Sequence, residues 1–414
     1  MTNSSENRRG VASSRYISKF RARHQARASN ETRARPTGRR QPICRNAAAP
    51  SFGMVGFIEG MRDRGKEPAA LREKGMVMLL TRREFGLAAL AAGTFAARPA
   101  LAADKIHIGI LPLASHSPTF IALGKGYFEA AGFDADLVTF EAAEPMAVAI
   151  ASGDVDFGVT AITGALIALA GKGVVKVIGG ALEEAPEIEG EKILVSKKAH
   201  DEGVTTPAQL KGRIFGITTA GSSFQYMAHK IAQKEGFPDS AMELKSLQKV
   251  PVVIAALKSG QIDAWSIQPN IADNLAKSGG AFVIGKISDY APDYQVTTVF
   301  TSTANIAKRR DLVTRYLAAY AKGVADYNAA LVDKKMDDKD TAAIVAIIHK
   351  YVYAATPIER ADAMIRAGAM RIAEKARLNL ASVKDQLEWF QAEKMVPAAV
   401  TMDKLVDASF VKTD

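Results

Sequence analysis

Hydroxyl residues and glycines gather in four short stretches of this chain: LASHSP (113–118), TAIT (160–163), TTAGSS (218–223) and SIQPN (266–270). Each follows a β-rich run and precedes a helical one, so hydroxyls and free backbone N–H groups collect at helix N-termini. Such a cradle suits a small polar or anionic solute. Ser115, His116, Ser117, Thr160, Thr163, Thr219, Gly221, Ser222, Ser223 and Gln268 are the contacts expected there, with Thr163 also placed to cap its helix. These loops hold no arginine, which argues against a dicarboxylate or phosphate, since guanidinium forks usually hold such groups. His116 and Lys249 are the candidate cations.

Catalytic constellations are missing from the same inventory. Six histidines are scattered without metal-ligand spacing, and the one cysteine, Cys44, lies near the N-terminus. There is no nucleophile elbow, no Walker loop and no dinucleotide fingerprint; GITTAG is glycine-poor for the last of these. No enzyme activity and no metal or other cofactor is expected. The acidic run EEAPEIEGE (183–191) could be read as a cation site, but is expected to be a solvated loop leading into a crossover.

The elements that position the hydroxyl loops alternate. KIHIGILP (105–112), FDADLVTF (133–140) and VDFGVTAI (155–162) read as strands, separated by helical patterns over 117–132 and 145–153. The cycle restarts at GRIFGITTAG (212–221). AIASGDVDFGVT (149–160) and ALKSGQIDAWSI (256–267) repeat a Ser-Gly-x-x-Asp signature at an offset of 107. Glycine is expected to end a helix in each copy, and Asp156 and Asp263 to open the third strand beside a crevice. Two βαβαβ copies imply an α/β fold of two lobes, each a mostly parallel sheet flanked by helices, with the ligand at the carboxyl ends of the strands.

Charge is uneven. Residues 1–75 hold 17 Lys/Arg against 6 Asp/Glu, +11 of a whole-chain +10, which leaves −1 for the remainder. The basic character belongs to an Arg- and Ser-rich leader that cannot bury a core, so no nucleic-acid partner is expected. From Met76, MVMLLTRREFGLAALAAGTFAARPALAADK has a twin-arginine-type pattern, a short weakly apolar run and an Ala100-Leu101-Ala102 cleavage site. The expectation is a disordered leader over 1–75 upstream of the true start (Met76 or Met78), a signal over 76–102, and a periplasmic chain beginning at Ala103.

SPTFIALGKGYFEAAGFDADLV, AIASGDVDFGVT, TTPAQLKGRIFGITTAGSS and ALKSGQIDAWSIQP together resemble the sulfonate/nitrate/taurine-type periplasmic solute-binding proteins of ABC transporters, over roughly residues 105–410. The resemblance implies a type II-like clamshell: lobe 1 from 103–190, lobe 2 from 191–297, and a return to lobe 1 with C-terminal helices over 298–414. It implies a monomer that delivers a small molecule to a permease and an ATPase subunit. A sulfonate or carboxylate held by hydroxyls and backbone amides is the ligand expected. The alternatives are a thiamine pyrimidine precursor or other small aromatic nitrogen compound, or a sensory role. In relatives of that kind carboxylates pair with ring amines, a part Glu141 or Glu144 could take, while Trp265, Phe224, Tyr290 and Tyr294 could stack on a ring. Trp265 is expected at the cleft.

Overall fold

The structure, a computed structural model, describes residues 103–414. The basic leader, Cys44 and the export signal expected up to Ala102 lie outside the described residues. DKIHIGI forms β1 (Asp104–Ile110) and buries Ile106, Ile108 and Ile110. The helix expected over 117–132 is broken into α1 (Ser117–Gly124) and α2 (Tyr127–Ala130). Gly126 between them has φ 70°, a left-handed conformation that glycine adopts without steric cost. Then come β2 (Phe133–Thr139), α3 (Ala143–Ser152), β3 (Phe157–Ala161), α4 (Gly164–Gly171) and β4 (Val175–Gly180).

After the acidic run the chain forms β5 (Lys192–Ser196), α5 (Lys197–Asp201), β6 (Ile214–Ile217), α6 (Ser223–Glu235) and β7 (Glu243–Ser246). α7 (Val250–Lys258), β8 (Ala264–Ile267), α8 (Pro269–Lys277), β9 (Ala281–Lys286) and β10 (Thr297–Ser302) continue it. The C-terminal part is helical: α9 (Thr303–Lys308), α10 (Arg310–Tyr327), α11 (Asp338–His349), α12 (Ile358–Ala367), α13 (Leu380–Ala392) and α14 (Met402–Leu405). No helix among the described residues is long and apolar enough to cross a membrane.

The strands make two five-stranded sheets. Sheet I has the order β2-β1-β3-β10-β4 and sheet II the order β7-β6-β8-β5-β9. In sheet I, β1 is parallel to β2 and β3, while β10 runs antiparallel to β3 and β4. Sheet II repeats this, with β6 parallel to β7 and β8, and β5 antiparallel to β8 and β9. The antiparallel place in each sheet is thus filled by the strand that arrives from the other one. Alternation alone does not reveal this, because direction leaves no mark on the hydrophobic period.

The repeated signature has a structural explanation. Ser152 Oγ donates to the Ala149 carbonyl at 3.0 Å and Ser259 Oγ to that of Ala256 at 3.1 Å, closing the last turns of α3 and α7. Gly153 and Gly260 follow at φ 87° and 70°. Asp156 Oδ2 accepts the His107 N–H at 2.9 Å, and Asp263 Oδ2 accepts the Ile214 N–H at 2.9 Å. Both aspartates therefore tie the start of the third strand of the repeat to the first, at the middle of β1 and at the start of β6. They sit at the amino ends of these strands and not beside the crevice, as the sequence suggested.

Candidate functional site

The parallel strands of both sheets end at one cavity of about 60 Å³. After β1 come Ser115 and His116, at the end of β3 Ala161, after β6 Thr218, Ser222 and Ser223, and after β8 Gln268. Thr160, on β3 itself, also lines it. Because β5 and β10 run the opposite way, their amino ends reach the same edge and bring Glu191 and Thr297 into the wall. Phe224, Met227 and Val296 add apolar surface.

Contacts join the two sides. Gln268 Nε2 donates to Ser115 Oγ at 2.6 Å, and the Gly164 N–H donates to the Gly221 carbonyl at 3.0 Å. At the rim Lys249 pairs with Glu141, so a candidate cation and a candidate ligand contact are partners of each other. Asn270 Nδ2 donates to Tyr353 Oη at 2.7 Å.

His116 is buried, and desolvation holds its imidazole down to about pKa 3. It is neutral at ordinary pH. Its Nδ1 accepts the Leu111 N–H at 3.4 Å, which leaves Nε2–H as the donor. The residue expected as a candidate cation is therefore an uncharged hydrogen-bonding group.

The acidic run departs most from expectation. Glu184 and Glu191 are 4% and 3% exposed, so both ends of the run are buried and only its middle, at Pro186, Glu187 and Glu189, is solvated. The Glu191 N–H donates to Glu184 Oε1 at 2.9 Å, and the Glu184 N–H to the Tyr294 carbonyl at 2.9 Å. Gly190 permits the tight return: a Cβ there would lie 2.0 Å from Glu184 Oε2. Burial pushes the Glu184 carboxyl up to about 7. Burial, and then the Glu184 charge, hold the Glu191 carboxyl well above the usual carboxylate range. Oε2 of each glutamate and the Tyr294 hydroxyl have no hydrogen-bond partner. No group of three or more metal-ligating side chains occurs among the described residues.

Six of the twelve expected contacts thus converge: Ser115, His116, Thr160, Ser222, Ser223 and Gln268. The other six lie elsewhere. Ser117 is fully buried with its Oγ unpartnered, off the cavity. Thr163 caps α4 by accepting the Leu166 N–H at 3.1 Å. The Thr219 carbonyl accepts the Ser222 N–H at 3.1 Å, Gly221 meets Gly164, and Glu141 is at the rim. Trp265 is 0% exposed and packs in the core of sheet II at 5.5 Å from the Phe224 ring, so only Phe224 reaches the cavity. Tyr290 Oη donates to Glu235 at 2.7 Å. Glu191, Thr218 and Thr297 were missed. For Glu191 and Thr297 the available signal was their place at the start of a crossover strand, which enters antiparallel and so begins at the cleft; Thr218 directly follows the parallel β6.

The family pattern described as NMT1/THI5 like matches residues 114–330, just over half the chain. A Brucella abortus protein, named only as a candidate binding protein, is 26% identical over 266 residues, 62% of this chain and 77% of that one. The alkanesulfonate-binding protein of Xanthomonas axonopodis pv. citri, bound to MOPS, superposes with a TM-score of 0.59 at 18% identity, covering 75% of this chain and 100% of its own. The periplasmic nitrate-binding protein of Synechocystis gives 0.59 at 12% identity, over 73% and 86%. With two sheets of matching topology and these superpositions, the chain has the periplasmic binding protein fold and belongs to the NMT1/THI5-like family.

Proposed function

We propose that this protein is the solute-capturing component of an ABC importer, exported to the periplasm and handing its solute to a membrane permease driven by an ATPase. Lobe 1 (103–190 with 298–414) and lobe 2 (191–297) close on the solute, and no reaction follows. The observation that carries this reading is the polar chamber whose walls come from the strand ends of both sheets. The neutral His116 pairs with no lining hydroxyl, so no activated nucleophile supports hydrolysis.

For the solute, the chamber favours a compound with N–H donors, the nitrogen-compound alternative, over an organic anion. Its lining has an unpartnered carboxyl group in Glu191 and no arginine or lysine. An anion there would find no counter-charge, whereas a donor satisfies the unpartnered Glu191 Oε2. Neutral His116 and the hydroxyls of Ser115, Thr160 and Ser222 complete the polar lining.

A thermal-shift panel of aminopyrimidines, other small amines, alkanesulfonates, taurine, nitrate and aromatic carboxylates tests both parts. A true ligand at about a hundred times its Kd adds about 2.7 kcal/mol, a rise of several degrees. Nitrogen compounds should shift the wild type and fail on Glu191→Gln. Shifts confined to anions would overturn the ligand class, and turnover of a bound compound would overturn the transport reading.

A further inference from the structure

A second cavity of about 340 Å³ adjoins the polar chamber and shares Leu111, Leu113 and Val250 with it. Its walls are almost wholly apolar. Phe140 comes from the loop after β2, Ile254 from α7, Ile271 and Leu275 from α8, and Tyr353 from the segment between α11 and α12. The Glu141–Lys249 pair lies at its edge. Two non-glycine residues with left-handed backbone flank it: Tyr353, a lining residue, at φ 64°, and Gln248, two residues before Val250, at φ 69°. Such strain persists only where surrounding structure holds it, and it concentrates at ligand sites.

The volumes set the argument. The polar chamber has room for about four water-sized groups, by the measure of about 15 Å³ for one. That accommodates a head group and little more. The outer cavity is in the range of a small-molecule site. We infer that the solute is two-part: a compact polar head sits in the inner chamber, and an apolar tail or ring passes between Leu111, Leu113 and Val250 into the outer cavity. This rests on the solute-capture reading above, but not on the charge of the head. The outer cavity then sets specificity by tail length and shape, while the inner one reads the head.

Calorimetric titration of the exported chain with two homologous series, n-alkylamines and n-alkanesulfonates of two to eight carbons, separates these claims. In whichever series the head binds, Kd should tighten about fourfold per methylene over the first several carbons. Binding that ignores tail length overturns the outer subsite and leaves solute capture intact. A steep series among sulfonates supports the subsite while removing the preference for a nitrogen head. Fluorescence of the neutral probe N-phenyl-1-naphthylamine covers the case in which neither head registers. Its enhancement should be present in the wild type and weakened tenfold or more by Ile254→Glu, a partly exposed wall position. Val148→Glu, at a position 53% exposed on α3, should leave it unchanged. A wild type without enhancement, or an Ile254→Glu variant that keeps it, overturns the subsite. Circular dichroism verifies that each variant is folded.

Discussion

The repeated helix ends and the acidic linker use their carboxylates in opposite ways. Asp156 and Asp263 recur at an offset of 107, and each spends an oxygen on the backbone N–H of a residue 49 positions upstream. Glu184 and Glu191 have no counterpart in the repeat, and each keeps an oxygen without a partner. The conspicuous pair lies at the amino ends of the parallel strands, away from the cavity. Of the inconspicuous pair, Glu191 lies just before the antiparallel β5, whose amino end reaches the cavity, and Glu184 holds it from behind by accepting its N–H. Repetition here reports a backbone requirement that both sheets share. The unpartnered buried carboxyl oxygens lie where the chain crosses between them and the repeat is broken.

Substitutions at the two pairs should therefore separate binding from stability. Glu191→Gln is expected to weaken a nitrogen ligand about a hundredfold in calorimetry, because it removes a charge-assisted acceptor at a buried position. An effect below threefold would put Glu191 outside the site. Glu184→Gln sharpens the contrast through pH. The folded value of about 7 lies above the ordinary 4.5, so the folded state binds more protons between these values and loses stability as pH rises through that window. The variant lacks that loss, and its stability should gain on the wild type from pH 4.5 to 7 and then hold level, a difference of roughly 3 kcal/mol read as a rise in relative melting temperature. A gap that shrinks over the same window has the wrong sign.

Asp156→Ala and Asp263→Ala leave the His107 and Ile214 N–H groups unpaired and should each cost about 1–3 kcal/mol in urea unfolding, with ligand Kd in the folded fraction unchanged. A specific loss of affinity would return these aspartates to the site. The smallest effect belongs to the rim. Lys249→Met and Glu141→Gln break a half-exposed ion pair worth under about 1 kcal/mol, so affinity should move less than about fivefold, and less still in high salt.

The parallel strands and their helices were legible because Ile106, Ile108 and Ile110, and the helix-ending Gly153 and Gly260, carry period and turn chemistry locally. From them followed two sheets and half of the polar lining. The rest depended on relations that no local pattern encodes. Strand direction places Glu191 and Thr297 at the cavity. Burial neutralises His116, and the Lys249–Glu141 pair forms across the cleft. Trp265 lies on β8 two residues before the cavity-lining Ile267, deeper along the strand, and packs in the core of sheet II. Gly126 breaks the first helix at a position where a helical period continues on either side.

Proton linkage tests the central claim most directly. Burial shifts the Glu191 carboxyl toward its protonated form when no ligand is bound. A ligand that donates N–H groups to it favours the carboxylate, lowers its pKa and expels the proton, so binding should strengthen as pH rises. An anion would favour the protonated acid, take up a proton and bind more weakly at higher pH. The measurement is calorimetry in buffers of differing ionisation enthalpy, with the tightest nitrogen compound of the panel that keeps its own charge from about pH 5 to 8. Net proton release that vanishes in Glu191→Gln is expected; proton uptake, or release that persists in that variant, would rule out recognition of the solute through Glu191.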